Sequence, residues 1–349
     1  MWESGTDSTG DITCTYDFTV TDGSLSEKCE GSNGDYYTHP AFWWDTNGNS
    51  TREANEELTG IWVGKYEIST PSDSTCYESS SNDNCRNTTL AVRTKPNANP
   101  WRYNYLSNFS TVIQAMSASD NEYGLSSNAE SHMIKNMEWG AVAYLTNSDY
   151  GRCSDGTCTE VSINSYIDSS SGSSSTYLYK TGCGPQSKTS TSSGSTCNEY
   201  NSELGQLAST TGNVYGIYDM SGGAWEYVMG NSSGASGTYT YKALSAGSNF
   251  SYSTTTAKYV DTYAYGTSII DQTAYNRARL GDATGEVVLS TGGSGGWYSD
   301  TARFVKSSLP WFERGGNYDD GTYAGPFNFY NYNGNSVSYS SARAALLAF

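Results

Sequence analysis

The stretch Asn213–Gly230, "NVYGIYDMSGGAWEYVMG", combines two carboxylates, a Gly-Gly pair and six large aromatic or thioether side chains within a few turns of chain. Asp219 and Glu226 supply carboxylate oxygens, and Gly222 and Ala224 offer backbone carbonyls between them. Hard oxygen donors of this kind suit Ca²⁺. A glycine turn with Asp219 as a local cap and Glu226 in an ion pair is the other reading of the same residues. Tyr218 and Trp225 are expected to be core.

Upstream, "LTGIWVGKYEIST" (58–70) reads as a strand rich in β-branched and aromatic residues. "LSNFSTVIQAM" places Leu106, Phe109, Val112, Ile113 and Met116 on one helical face, with Ser107 as a candidate cap. "SNAESHMIKNMEWGAVAYL" predicts a second helix. Ser127 and Glu130 stand at capping-box spacing, and Met133, Ile134, Met137, Ala141, Tyr144 and Leu145 follow at helical period. Residues 151–200 read as an elaborated, Ser/Thr-rich surface loop. From residue 212 onward short strand-like pieces alternate with Gly, Asn and Ser turns. The whole predicts an α+β fold with two helices, an irregular β-rich core and long loops.

The eight cysteines fall as near neighbours: Cys14 and Cys29, Cys76 and Cys85, Cys153 and Cys158, Cys183 and Cys197. An even count in a polar chain predicts disulfides and an oxidising compartment. Zinc is disfavoured, because His39 and His132 are the only histidines and no CxxC occurs. Pairing in sequence order makes residues 1–38 a small extension, a hairpin closed by Cys14 and Cys29, ahead of a domain spanning 39–349.

The net charge of −17 argues against nucleic acid, which requires clustered Lys and Arg. No apolar run is long enough to predict a bilayer-spanning segment, and no secretory signal follows Met1.

The C-terminal block Arg314–Arg343 is different in kind. Between Asn317 and Ser341, 25 positions hold five Tyr, five Asn and four Ser, too few apolar residues for a core. The apolar "ARAALLAF" that follows reads as a buried last strand, so the block is anchored at both ends. Tyr, Asn, Ser and Gly are the residues of antibody paratopes, where Tyr gives contact area at small entropic cost. The block therefore reads as a displayed binding face.

The stretch 213–230 resembles the "GLYDMSGNVWEW" signature of the formylglycine-generating-enzyme family, a branch of the C-type-lectin fold. "WVGKYEIS", "NMEWGAVAYL", "FERGGNY" and "ARAALLAF" are similar to further elements of that family, in the same order, across about residues 58–349. The resemblance implies a C-type-lectin-like fold and a structural calcium ion at Asp219, Gly222, Ala224 and Glu226. It does not carry over the catalysis. Two cysteines after "RGG" hold copper in catalytic members, and the matching positions here are Asp320 and Gly325. A Cu(I) site without thiolates is chemically implausible.

A second resemblance follows from the genetic code. Changing only the adenines of an Asn codon reaches Tyr, Asp, Ser and Phe, the residues enriched in the block. This is similar to the variable region of C-type-lectin proteins diversified by diversity-generating retroelements. It implies that Asn317, Tyr318, Asp320, Tyr323, Asn328, Tyr330, Tyr332, Asn335, Ser338 and Tyr339 include the ligand-contacting positions. The expected function is non-catalytic binding of a protein or glycan ligand on another cell or phage, from a secreted or surface-anchored bacterial protein. A fixed-specificity adhesin or lectin is the alternative. The whole chain is rich in Tyr, Ser and Asn, and the segment 251–268, outside the block, is also Tyr-rich, so part of the enrichment is background.

Overall fold

The computed structural model describes residues 39–47, 54–70, 90–168, 178–232, 258–263, 281–289, 295–306 and 308–348, together with two short strands near the N-terminus. These are β1 (Thr13–Asp17) and β2 (Ser26–Glu30), an antiparallel pair whose register sets Cys14 opposite Cys29. Cys76 and Cys85 lie outside the described residues.

The fold is α+β. In chain order the remaining strands are β3 (Gly60–Val63), β4 (Ile68–Ser69), β5 (Arg93–Thr94), β6 (His132–Met133), β7 (Cys153–Ser154), β8 (Thr157–Cys158), β9 (Cys183–Gly184), β10 (Asn198–Glu199), β11 (Trp225–Ser232), β12 (Asp261–Tyr263), β13 (Trp311–Gly315), β14 (Gly325–Tyr332), β15 (Ser340–Ala342) and β16 (Ala344–Ala348). The helices are α1 (Leu106–Gln114) and α2 (Asn136–Thr146).

The main sheet runs β12-β11-β13-β14, and β15 pairs with β11 as well. β11 is long enough to hold two parallel neighbours: Gly230–Ser232 pair with β12, and Trp225–Tyr227 pair with β15. A second sheet, β3-β16-β6, is antiparallel throughout. The "ARAALLAF" segment thus becomes its central strand, with Ala344, Ala345 and Leu347 buried.

Side chains alternate across a strand, so each main strand serves two layers. On one face Tyr227, Met229 and Trp311 pack against Leu106, Phe109, Val112 and Ile113 of α1. On the other, Val228, Phe312, Phe327 and Phe329 pack against Trp139, Val142 and Ala143 of α2. The apolar stripe predicted for α1 is buried, including Met116 in the turn that follows. Its cap differs from expectation: the residue before the helix is Tyr105, and Ser107 lies inside the first turn.

The second helix starts later than its polar lead-in predicts. Ser127–Ala129 form a single 3₁₀ turn, and the Glu130 carboxylate bonds Lys258 and Tyr259 rather than a helix end. Met133 falls on β6, and α2 begins after Lys135, whose backbone N–H donates to Glu138 at 2.8 Å. Leu145 is 56% exposed, so the apolar stripe is shorter than read. The predicted strand 58–70 is broken between β3 and β4 by Gly64–Glu67.

Disulfides join Cys153 to Cys158 and Cys183 to Cys197, each closing a two-stranded antiparallel pair. The low-complexity run between the last two cysteines is tied to the body through Gly194, whose N–H donates to Ser165 and whose carbonyl accepts from Ile167. Among the described residues no helix is long and apolar enough to cross a membrane.

Candidate ligand-binding face

The candidate face lies on the side of the main sheet that carries Trp225, Glu313, Tyr330 and Tyr332, next to the layer packed on α1. The β13 register sets Trp311 opposite Tyr332 and Glu313 opposite Tyr330, and β11 brings Tyr227 to Glu313 from the other side. Trp225 packs on Tyr330 with the rings tilted and their centroids 5.2 Å apart, and the Tyr332 and Tyr339 rings meet edge-on at 6.3 Å. The Tyr339 hydroxyl donates to that of Tyr332 at 3.2 Å. Arg303, from outside the C-terminal block, lies 4.8 Å over the Tyr330 ring and donates from Nη1 to its hydroxyl at 2.9 Å. A guanidinium on an aromatic face attracts the ring and helps hold it in place.

The ten predicted contact residues divide into three groups. Tyr323 is 49% exposed, and Tyr330, Tyr332, Asn335, Ser338 and Tyr339 are half-buried at the rim. Asn317 and Asp320 are half-buried turn builders. The Asp320 carboxylate accepts the Asn317 N–H at 2.7 Å, and the Asn317 side chain accepts the N–H of Asp319. This turn requires Gly316 at φ +75°, where a Cβ would lie 2.7 Å from that of Ala324. Tyr318 and Asn328 are buried. Tyr318 packs on Tyr179, and Asn328 donates to the Tyr323 carbonyl at 2.6 Å. As placed, these two support the frame and do not reach the surface.

The segment 333–339 is fastened by its backbone. The carbonyls of Gly334, Val337 and Tyr339 accept from the N–H groups of Leu106, Tyr103 and Trp225 at 3.2, 3.1 and 2.8 Å. The Asn335 carbonyl accepts from the Tyr227 hydroxyl at 2.9 Å, and the Ser338 carbonyl from the Arg102 guanidinium. Arg102 is itself fully buried, 3.9 Å over the Tyr179 ring. None of these five donors belongs to the block.

Sequence reasoning missed Arg303, Trp225, Tyr227, Glu313 and Arg102 as parts of this face. The period-2 alternation of Trp311 and Glu313 is the one local signal that assigns Glu313 to it.

The segment that carries Asp219 and Glu226 lies under the junction of β15 and β16. Asp219 adopts φ +61°, and its carboxylate accepts the Gly182 N–H and the Asn164 amide, both at 2.8 Å. Gly222, at φ +78°, would place a Cβ 2.5 Å from the Asn164 carbonyl, which excludes any side chain. The Ala224 N–H donates to Glu67 at 2.9 Å. Glu226 is paired with the fork of Arg343, through Nε at 3.0 Å and through Nη2. Arg343 also donates to the carbonyls of Gly64 at 2.6 Å and Tyr218 at 2.8 Å. Burial lifts Glu226 to about 7 despite Arg343, and lifts Glu67 well above the carboxylate range, with Asp219 and Glu226 adding to the shift.

The resemblance assigns this segment a calcium ion, and the arrangement here does not fit one. The counter-charge is a guanidinium already bonded to Glu226, and the Asp219 oxygens are taken by an N–H and an amide. The ion-pair reading describes Glu226 as found. Among the described residues no group of three or more His, Cys, Asp or Glu is placed to hold a metal ion.

No known protein family matches the chain, and no curated protein matches it.

Proposed function

We propose that this chain is a non-catalytic, ligand-binding protein of the C-type-lectin-like, formylglycine-generating-enzyme type, which meets its partner through the C-terminal tyrosine face. The reading extends to diversification: residues 314–343 are one draw from a repertoire produced by adenine-directed mutation. One observation carries it. The segment 333–339 is held through its own carbonyls, by donors that lie outside the block. A loop fixed in this way keeps its path when its side chains change, as a diversified face requires. The rim residues Tyr323, Tyr330, Tyr332 and Tyr339 add aromatic area on a backbone that is already ordered. Preordering lowers the entropic cost of binding.

The absence of cysteines at Asp320 and Gly325 supports a non-catalytic role. Disulfides support an oxidising location, read here as secreted or at the bacterial cell surface. The partner is a protein or glycan on another cell or phage.

The test is to sequence the codons for residues 314–343 across the source population and to search nearby for a second copy of that segment. The expected result is variation at codons whose template carries adenine, concentrated at the rim positions, with Tyr318 and Asn328 changed rarely or not at all. An invariant block with no second copy would sink the diversified reading and leave a fixed adhesin or lectin, to be pursued with glycan arrays.

A further inference from the structure

The tyrosine face has an edge that the C-terminal block does not encode. Residues 301–303 run beside β14, on the side away from β13. The Phe329 N–H donates to the Thr301 carbonyl at 2.8 Å, and the Phe329 carbonyl accepts the Arg303 N–H at 2.9 Å. Thr301 donates its own N–H to the Tyr323 carbonyl at 3.0 Å. Side chains alternate along such a segment. Ala302 and Phe304 are buried in the α2 layer, so Arg303 is turned to the other side, with Tyr330.

The guanidinium of Arg303 is half-buried and lacks an anion. Its side-chain bond, from Nη1 to the Tyr330 hydroxyl at 2.9 Å, goes to a neutral phenol. Its Nε is buried without a hydrogen-bond partner, and among the described residues no Asp or Glu forms an ion pair with it. The other described guanidiniums are supplied differently. Arg93 bridges Glu122 at 2.9 Å and Arg343 bridges Glu226, while Arg102, Arg152 and Arg314 donate to backbone carbonyls. The chain carries 36 Asp and Glu against 19 Lys and Arg, so scarcity of carboxylates does not explain the one missing here. A planar carboxylate is the group that a guanidinium fork binds most strongly. Held over the Tyr330 ring, the fork is already oriented, which lowers the entropic cost of meeting one. The net charge of −17 opposes an acidic partner only at distances that salt screens.

We propose that Arg303 is a constant anchor of the face, and that the partner is a protein presenting an Asp or Glu side chain to it. That this face meets a partner at all rests on the function proposed above. Position 303 lies outside residues 314–343, so the same demand falls on the partner of every version of the block. Arg, Tyr and Trp dominate the energetics of protein–protein contacts, and Arg303, Tyr330 and Trp225 stand together here. The rings beside Arg303 offer no flat platform for a sugar: Trp225 is 7% exposed and tilted on Tyr330, and Tyr332 meets Tyr339 edge-on.

The experiment pans a displayed library of random peptides, at about 0.15 M salt, on the full disulfide-intact chain and on Arg303→Met in parallel. Peptides enriched on wild type over the variant are expected to carry Asp or Glu at one fixed position. Resynthesised, they should bind wild type roughly 30-fold more tightly than the variant. Changing that Asp to Asn, or Glu to Gln, should cost as much on wild type and almost nothing on Arg303→Met, the coupling that a direct pair produces. Pools that do not distinguish the two chains, distinguishing peptides without a carboxylate, or additive losses would each overturn the anchor. Acidic glycans that distinguish the two chains where peptides do not would overturn the protein partner. Should the Met variant fail to fold, Arg303→Gln takes its place. Tyr323→Ala and Tyr339→Ala separate this inference from the reading it rests on. Acidic peptides that need Arg303 but neither tyrosine leave the anchor standing and sink the tyrosine face. Peptides that need the tyrosines but not Arg303 do the reverse.

Discussion

Replacing Arg343 by Met tests what holds the junction between the two sheets. Met keeps much of the aliphatic volume and removes the guanidinium. Three acceptors then lose their donors: the Glu226 carboxylate and the carbonyls of Gly64 and Tyr218. Breaking a buried pair by removing one partner costs about 3–5 kcal/mol, because the other charge is left in low dielectric. Each orphaned carbonyl adds about 1 kcal/mol or more. Part of the first figure is recovered when Glu226, already lifted to about 7, takes up a proton. The net expectation is a loss of roughly 4 kcal/mol, a large share of the ~5–15 kcal/mol typical of a folded domain. Equilibrium urea unfolding with the disulfides intact measures it. The double variant Arg343→Met with Glu226→Leu should be more stable than Arg343→Met alone, since no charge is left unpaired. A single variant within about 0.5 kcal/mol of wild type would refute the claim that Arg343 is the counter-charge at this site.

Chelation addresses the same site from the other side: with Arg343 in place, saturating EDTA should leave Tm unchanged, and a clear fall would restore the calcium ion that the resemblance implies. Glu313→Gln should stabilise. The acid is raised from 4.5 to about 8 in the fold, so the native state keeps a proton that the unfolded chain has lost, and stability drains as pH rises from 4.5 to 8. The Gln variant escapes that drain, and unfolding at pH ~7 should show a gain of about 3 kcal/mol that vanishes near pH ~4; equal gains at both would refute the assignment. His39 has the opposite sign. It donates from Nε2 to Gly281 at 2.9 Å and accepts at Nδ1 from Ala41 at 3.1 Å, the neutral tautomer, and burial lowers it from 6.5 to about 4. Its contribution is whole above pH 6.5 and fades as pH falls to about 4. His39→Gln should therefore lose about 3 kcal/mol less than wild type over that interval, read from unfolding midpoints.

Where the sequence was legible, a local pattern and a tertiary demand agreed. The stripe Leu106–Met116 reads as a helix because one face must be apolar, and that face meets Tyr227 and Trp311. "ARAALLAF" reads as a buried strand because small and branched residues fit between two antiparallel neighbours. The start of α2 was misplaced because a Ser–Glu pair at capping distance is a local signal. Here Glu130 gains more from Lys258 and Tyr259, while Glu138 caps instead. The disulfides 153–158 and 183–197 agree with pairing in sequence order, the choice that close spacing favours among the many that eight cysteines allow. Arg343 as the partner of Glu226 was not, since 117 positions separate them and nothing local marks a buried guanidinium.

The tyrosine face shows the same division within a single block. Composition reads it as a surface, yet Ala324–Phe329, Asn331, Ser340 and Ser341 are buried, with Phe327 and Phe329 in the core, and only Asp319, Thr322 and Tyr323 are exposed. Composition cannot say which side chains face out, since Asn328 and Asn335 are the same residue type with opposite duties. Asn328 fastens the Tyr323 carbonyl from inside, whereas Asn335 contributes its own carbonyl to Tyr227 and keeps its side chain at the rim. The distinction comes from strand register. Glu313 pairs with Tyr330, and Phe327 and Phe329 both turn to the α2 layer, so Asn328 alternates onto the same side as Tyr330. The pairing of β13 with β14 shifts register between Arg314 and Gly315, so Asn328 lies beyond the regular ladder, where the Tyr323 carbonyl accepts its amide. Position relative to that register shift, more than residue type, separates the asparagine that fastens the frame from the one that stays at the rim.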